Sequence, residues 1–213
     1  MTDQTLPISH GGDWRYRLGE HKGTLLAIVV FVIMFVIYTS NHPAGFSADV
    51  VQTAASKGVL LALVAVGQTF VVLTAGIDLS VGMIFVLCNC LASYIVIGSP
   101  FMTFLGILGV LLAGLGCGAV NGVIVIYGRL QPIVTTIATG AVFFGLALLL
   151  RPQPGGDVNE DLADLMTGQL PGGIPTVAVA LVVIMLLIWV PFRKSMLGRV
   201  VYAVGSSEQA AYM

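Results

Sequence analysis

Long apolar runs, separated by short polar or glycine- and proline-rich breaks, dominate the sequence. A helix needs roughly 20 mostly apolar residues to cross about 30 Å of hydrocarbon. The predicted spans are Thr24–Tyr38, two crossings within Gly58–Gly98, then Met102–Tyr127, Ile133–Leu150 and Ile174–Phe192. The pattern therefore predicts an all-α integral membrane protein with about six transmembrane helices.

The apolar stretch from Gly58 to Gly98 is too long for one crossing, because as a single helix it would extend about 60 Å. Its pattern is interrupted at 74–82, where two glycines and two good N-cap residues, Asp78 and Ser80, occur together. We therefore predict a broken-helix segment around 74–82 between the second and third spans. Irregular backbone at membrane depth is typical of substrate pathways, because only protein or a water-filled cavity can surround it.

The distribution of positive charges predicts the orientation, since Lys and Arg concentrate in short cytoplasmic loops. A cytoplasmic N-terminus places seven Lys and Arg residues inside and two outside. The inside residues are Arg15, Arg17, Lys22, Arg129, Arg193, Lys194 and Arg199, and the outside residues are Lys57 and Arg151. We therefore predict a cytoplasmic tail over 1–23, a membrane domain over 24–192 and a cytoplasmic segment over 193–213.

Composition supports the membrane assignment, with 57% hydrophobic residues, 9% charged residues and a mean hydropathy of +1.00, against about 25% charged residues in soluble domains. The sequence has nine Lys and Arg residues and ten Asp and Glu residues, so it lacks the excess of positive charge that nucleic-acid binding requires. The three Cys and three His residues have no metal-ligand or catalytic spacing. The sequence predicts membrane lipid as the surroundings, no nucleic acid, no metal site and no catalytic residue.

The sequence also lacks a motif for binding nucleotides. The sequence contains no G-x-x-x-x-G-K-[ST] phosphate-binding loop. We therefore predict that the chain is not an enzyme and holds no cofactor. Active transport by this chain would need an ion gradient or a partner that binds ATP.

Asp78 is the one ionisable residue inside a long apolar stretch, and a carboxylate at membrane depth is costly enough to suggest function. The alternative is that Asp78 or Ser80 caps the following helix by accepting hydrogen bonds from its unpaired backbone N–H groups. Both interpretations fit the sequence.

Other polar side chains within the spans can bind a hydroxylated solute or hold neighbouring helices together. They are Gln68, Thr69, Asn89, Asn121, Thr135, Thr136 and Thr139. The candidates for a substrate pathway are Gln68, Asp78, Ser80, Asn89, Asn121 and Thr135.

The stretch Gly67–Gly82, which reads GQTFVVLTAGIDLSVG, closely resembles the signature of ribose-type ABC sugar permeases, the membrane subunits of bacterial carbohydrate importers. Three further stretches agree in order and spacing: Gly118–Gly122, Gln131–Thr136 and Leu197–Ala211. The resemblance covers about residues 24–213 and implies a multi-pass protein of the bacterial inner membrane.

The resemblance also implies partners. Family members form the pathway as a dimer of two permease copies, receive a monosaccharide from a periplasmic solute-binding protein, and dock on an ATP-binding subunit. By that likeness 193–213 is the cytoplasmic coupling segment, with Glu208, Ala210 and Ala211 on its docking helix and Gly205 in the turn before it. Family members continue into several more spans, so the resemblance implies that 24–192 is an incomplete permease domain.

Two other interpretations of function remain open. The first is an ABC permease for another small polar solute, such as an amino acid or an autoinducer. The second is an ion-coupled secondary transporter or channel, which would usually carry several intramembrane acids or bases as a relay. A non-transporting remnant is a further possibility because the sequence stops at Met213.

Overall fold

The computed structural model describes residues 21–171 and 173–206, which form eight α-helices and one short β-hairpin. The helices are α1 (Lys22–Asn41), α2 (Ala48–Val72), α3 (Val81–Ile95), α4 (Pro100–Gly128), α5 (Pro132–Leu150), α6 (Glu160–Thr167), α7 (Thr176–Lys194) and α8 (Met196–Ser206). Five of them, α1, α2, α4, α5 and α7, are long and apolar enough to cross a membrane. The apolar helix α3 has 15 residues and is the shorter half of the predicted double crossing. The prediction of an all-α membrane protein is confirmed.

Several predicted boundaries differ from those in the structure. Helix α2 begins at Ala48, well before the predicted Gly58, because its polar first turns extend the helix beyond the apolar run. Helix α7 continues to Lys194, past the predicted end of the span at Phe192, since basic residues favour the negative end of a helix dipole. The connection over 151–173, between the last two predicted spans, contains α6, and strand β1 (Gln169–Leu170) pairs antiparallel with β2 (Ile174–Pro175).

The chain divides into two compact units, residues 1–51 and residues 52–213. The described part of the first unit contains α1 and the start of α2. In it the Phe35 ring stacks on Phe31 and meets the edge of Phe46, with centroids 6.0 and 6.3 Å apart. The Thr39 hydroxyl donates to the Phe35 carbonyl oxygen at 2.9 Å, so this polar group is satisfied within its own helix.

In the second unit, α3 packs against both α4 and α5, and those two helices also contact each other. Leu87, Phe143 and Ala147 form the apolar centre of this packing. Polar Ser80 is 0% exposed, whereas Leu149 is 80% exposed. Buried polar groups and outward apolar side chains are the arrangement expected of helices that meet lipid, where the interior supplies the hydrogen bonds.

The hairpin of α3 and α4 is held by close backbone approach. A Cβ atom placed on Gly106 would lie 2.1 Å from the Ile95 carbonyl oxygen, so only glycine fits this crossing. Ser99 caps α4 by accepting a hydrogen bond from the Met102 N–H group at 3.5 Å. These contacts fix how α3 lies along α4.

Asn159 fastens the connection before α6 to the turn between α3 and α4. Its backbone N–H donates to the Val96 carbonyl oxygen at 2.8 Å, and its Nδ2 donates to the Gly98 carbonyl oxygen at 2.8 Å. Its Oδ1 accepts from the Leu162 N–H at 3.1 Å and so caps α6.

An aromatic cluster joins α2 to the end of α7. The Phe70 ring meets the edges of Trp189 and Phe192, with centroids 5.7 and 4.6 Å apart. Ser195 then caps α8, because its Oγ accepts from the Gly198 N–H at 3.0 Å. The cluster brings the start of α8 close to the C-terminal part of α2.

Candidate functional site

Helix α2 ends in a tight turn at 73–76 that opens the broken segment. The Gly76 N–H donates to the Val71 carbonyl oxygen at 3.1 Å, and the Ala75 N–H donates to the Val72 carbonyl oxygen at 2.9 Å. This pair of bonds is a Schellman motif, which normally places glycine at the left-handed position. Here that residue is Ala75, with φ of 58°. The predicted break around 74–82 is confirmed as non-helical backbone between Val72 and Val81.

A short chain of hydrogen bonds runs through the centre of the break. Asp78 Oδ1 accepts from both the Ser80 N–H, at 2.7 Å, and the Ser80 hydroxyl, at 2.6 Å. The Ser80 hydroxyl oxygen in turn accepts from Asn121 Nδ2 on α4, at 2.7 Å. Ser80 is completely buried, so the carboxylate and the amide satisfy a hydroxyl that water does not reach.

The capping alternative is partly wrong. Ser80 occupies the N-cap position of α3, but its side chain accepts no hydrogen bond from the helix backbone, because its hydroxyl is engaged by Asp78 and Asn121. Asp78 accepts from the N–H of Ser80, two residues later, in the manner of an Asx-turn. Asp78 therefore organises the turn that leads into α3.

Two further helices hold the same turn. The Leu79 N–H donates to Thr136 Oγ1 on α5 at 3.0 Å. Gln68 on α2 faces the Asp78 backbone: with its amide nitrogen toward the carbonyl, it donates to the Asp78 oxygen and accepts from the Asp78 N–H, both at 3.1 Å. Gly140 on α5 packs on the Ser80 backbone, where an added Cβ would lie 3.4 Å from the Ser80 Cα. Two helices thus bond the irregular backbone, and α4 bonds the Ser80 hydroxyl, so the break finds within the protein the hydrogen bonds that lipid cannot supply.

The turn borders a cavity of about 1300 Å³. Polar and charged groups in its wall come from the break, from α4 and its end, and from α5. They include Asp78, Asn121, Arg129 and Thr136, and the end of α8 contributes Val204 and Gly205. Its wall combines apolar side chains with a small number of polar groups, the mixed lining that small-molecule sites have.

Of the six predicted pathway residues, Asp78 and Asn121 line this cavity. Gln68 and Ser80 hold the turn beside it, and the other two lie elsewhere. Asn89 lines a second cavity of about 470 Å³ with Ser93, Glu160 and Asp164. Thr135 is buried, and its hydroxyl has no partner in the described part of the chain. Its neighbour Thr136 borders the central cavity instead. Gln68, Asp78, Ser80 and Asn121 are the predicted residues that the structure brings together.

The sequence pattern suggested Thr135 as a pathway residue, whereas in the structure Thr136 lines the cavity. It did not indicate that Arg129 lines the cavity or that Gly140 packs against Ser80. Adjacent helix residues point about 100° apart, so the rotation of α5 decides between the two threonines. No sequence signal identifies that rotation, because both threonines lie in the same apolar run. Among the described residues, no three His, Cys, Asp or Glu side chains lie together as a metal site requires.

The predicted coupling residues lie at the end of the chain. Gly205 is inside α8, near its C-terminal end, rather than in a turn before a helix, because α8 continues through the glycine without a break. Glu208, Ala210 and Ala211 fall outside the described residues, and their docking role stays a prediction.

Ala75→Gly is expected to stabilise the protein by about 1 kcal/mol, because an alanine in the left-handed region is strained and a glycine is not. The melting temperature of the detergent-solubilised protein measures this change. As a matched control, Ala119→Gly in the middle of α4 is expected to destabilise by about 1 kcal/mol. Equal lowering of the melting temperature in both variants would contradict the strain at Ala75.

Comparison with known proteins gives one family and a consistent set of relatives. The model of the family described as "Branched-chain amino acid transport system / permease component" matches residues 50–213. The ribose import permease protein RbsC of Haemophilus influenzae is 33% identical over 203 residues, covering 93% of this chain and 62% of the relative. RbsC of Bacillus subtilis is 32% identical, covering 92% of this chain and 59% of the relative.

A third relative is named for another sugar. The fructose import permease protein FruF of Bifidobacterium longum is 30% identical, covering 88% of this chain and 56% of the relative. The chain spans about three fifths of the length of these curated relatives. No solved structure matches the chain.

Proposed function

The chain belongs to the family of permease components of the branched-chain amino acid transport system, and from this membership we propose that it is the membrane subunit of an ATP-binding-cassette importer for a monosaccharide. It is a multi-pass protein of the bacterial inner membrane, and its relatives are transport permeases rather than enzymes. The observation that carries the proposal is the central cavity beside the broken helix, within a sequence similar to ribose and fructose import permeases.

The chemistry of the cavity supports a hydroxylated solute. Asp78 uses Oδ1 to hold Ser80 and lies half-buried at the cavity wall. Thr136 and Asn121 border the cavity from two other helices, with the hydroxyl of Thr136 bonded to Leu79 and the amide N–H of Asn121 bonded to Ser80. The Asp78 carboxylate can exchange hydrogen bonds with sugar hydroxyls at little net cost, because each bond to water is replaced by a similar bond to protein. A pathway needs binding of this modest strength so that the solute can leave again.

Energy for transport comes, in this proposal, from a partner. The sequence has no phosphate-binding loop, so a separate ATP-binding subunit binds and hydrolyses ATP, and this chain holds no cofactor of its own. A periplasmic solute-binding protein delivers the sugar, and a second permease copy completes the pathway. Closure of the two ATP-binding subunits then alternates access to the cavity.

A branched-chain amino acid is the second candidate substrate, favoured by the description of the matching family. The cavity wall also contains apolar side chains, among them Val71, Ile77 and Val125, which suit an aliphatic group. Measuring the uptake of each labelled solute distinguishes the two candidate substrates.

The test is uptake of labelled D-ribose, D-allose, D-fructose and L-leucine by cells that lack their own importers for these solutes. The permease is co-expressed with its ATP-binding subunit and solute-binding protein. We expect uptake of one of the sugars, and loss of that uptake when the phosphate-binding lysine of the ATP-binding subunit is replaced by alanine. Uptake of leucine alone would overturn the sugar assignment. Uptake that survives this replacement but collapses with an uncoupler would overturn the ABC mechanism.

Glu208→Arg is expected to weaken association with the ATP-binding subunit by about tenfold or more, because charge reversal in a docked interface leaves unfavourable charges facing each other. Co-purification of the ATP-binding subunit with the tagged permease measures the loss. Glu208→Gln, which removes the charge without reversing it, serves as the milder control. Full association of the arginine variant, at normal membrane levels, would count against the coupling assignment.

A further inference from the structure

Near the end of α8, Gly205 lies directly against the backbone of Leu73, the residue that follows α2. A Cβ atom placed on Gly205 would lie 1.9 Å from the Leu73 carbonyl oxygen and 3.0 Å from its carbonyl carbon. No flexible side chain stands between the two helices at this point. Because packed backbone is nearly incompressible, a movement of α8 toward Leu73 has to displace Leu73.

Leu73 is next to the break. It directly follows α2 and precedes the turn that contains the strained Ala75. In that turn Gly76 approaches α5, where an added Cβ would lie 3.7 Å from the Pro132 Cβ. Five residues after Leu73, Asp78 begins the hydrogen-bond chain to Ser80.

Helix α8 has a second tight backbone contact, near its other end. A Cβ atom on Gly198 would lie 2.1 Å from the Phe192 carbonyl oxygen of α7. That contact fixes the start of α8 to the helix that precedes it, whereas Gly205 reaches a different helix. The two glycines therefore give α8 one fixed point on α7 and one point of contact with the broken segment.

We propose that Gly205 is a positioning residue that passes movement of α8 to the broken segment through the Leu73 carbonyl. The inference rests on the proposed function, in which the coupling segment moves with the ATP-binding subunit. Displacement of Leu73 shifts the turn at 74–76 and, through it, the Asp78–Ser80 turn at the cavity wall. The close contact of Gly205 is then required for coupling ATP hydrolysis to uptake.

The test is Gly205→Ala in the complete transporter reconstituted in liposomes, with sugar uptake measured per ATP hydrolysed. The sugar is the one that the wild-type cells take up. We expect this ratio to fall by about tenfold or more, because the added methyl group separates α8 from Leu73, while the ATP-binding subunit still co-purifies. Gly58→Ala, on α2 with open space around the added methyl group, is the matched control and is expected to keep the wild-type ratio.

Gly198→Ala distinguishes coupling from general damage to α8. It introduces an equally severe backbone overlap at the α7 contact, so a merely structural role for Gly205 predicts the same loss of assembled complex in both variants. Our inference predicts assembled complex with a low ratio for Gly205→Ala. A wild-type ratio in the Gly205→Ala transporter overturns it.

A cross-link tests the contact even if the alanine variant fails to assemble. Thr74→Cys and Val204→Cys are combined in a background in which Cys88, Cys90 and Cys117 are replaced by serine, and a short bifunctional maleimide is added. We expect efficient cross-linking and ATP-dependent uptake in the linked protein, because the link keeps α8 and the broken segment moving together. Failure to cross-link, or loss of uptake in the linked protein, overturns the inference. Absence of ATP-dependent uptake in the wild-type transporter would instead overturn the proposed function.

Discussion

Asp78→Ala is expected to lower the free energy of unfolding by about 2 kcal/mol and to reduce sugar uptake by about tenfold or more. Alanine removes the acceptor for both the N–H and the hydroxyl of the fully buried Ser80, and buried donors without partners cost about 1–3 kcal/mol. The turn then loses its fixed position against Asn121. Thermal unfolding and uptake of the labelled sugar measure the two effects.

Asp78→Asn separates the turn-forming role from a need for the charge. Asparagine keeps a side-chain oxygen that can accept from Ser80, so we expect uptake within about threefold of the wild type. Loss of uptake at normal membrane levels would show that the charge itself is required in the pathway. Asp49→Ala removes an exposed carboxylate from the first turn of α2 and is expected to change stability by less than about 0.5 kcal/mol.

Gly106→Ala is expected to destabilise the α3–α4 hairpin by about 3 kcal/mol, a large loss of stability for the addition of one methyl group. The added Cβ would lie 2.1 Å from the Ile95 carbonyl oxygen and 2.9 Å from the Val96 Cα. Both neighbours are backbone atoms, so the helices have to separate, and overpacking of this kind costs about 1–3 kcal/mol or more. The melting temperature and membrane level of a fluorescent fusion report the loss.

Gly116→Ala is the control for Gly106→Ala, because it lies on the same helix and its added methyl group meets no atom within 4 Å. It is expected to be neutral or slightly stabilising, since alanine favours helix over glycine by about 1 kcal/mol. Equal melting temperatures for the two variants would mean that α3 and α4 do not cross as closely as the structure has them.

The broken helix was predictable because its signals are local. The glycines and N-cap residues of 74–82 interrupt an apolar run that is too long for one span, and hydrocarbon thickness dictates that the chain turns there. The residues that hold the break come from other helices. Asn89 and Asn121 look alike in sequence, as single amides in apolar runs, yet only Asn121 reaches Ser80. The rotation and packing of each helix decide which asparagine reaches Ser80, and the sequence pattern of a single helix does not reveal either one.

Close backbone contacts were the least predictable features. Nothing in the sequence distinguishes the glycines of α4 from one another, but Gly106 is tightly enclosed whereas Gly116 has open space. Gly205 is a second example. Its sequence position suggests a turn, but it lies near the end of α8 and packs against the backbone of Leu73. Such contacts depend on distances between distant parts of the chain, which hydropathy and propensity do not encode.

We propose that this permease moves a sugar with energy from an ATP-binding partner, through the pathway beside Asp78 and Asn121. Uptake of the labelled sugar is measured in liposomes that contain the complete transporter, with the loaded solute-binding protein outside and ATP enclosed inside. We expect uptake that requires enclosed ATP and is unaffected by collapsing proton and sodium gradients. Uptake driven by either ion gradient without ATP would contradict it.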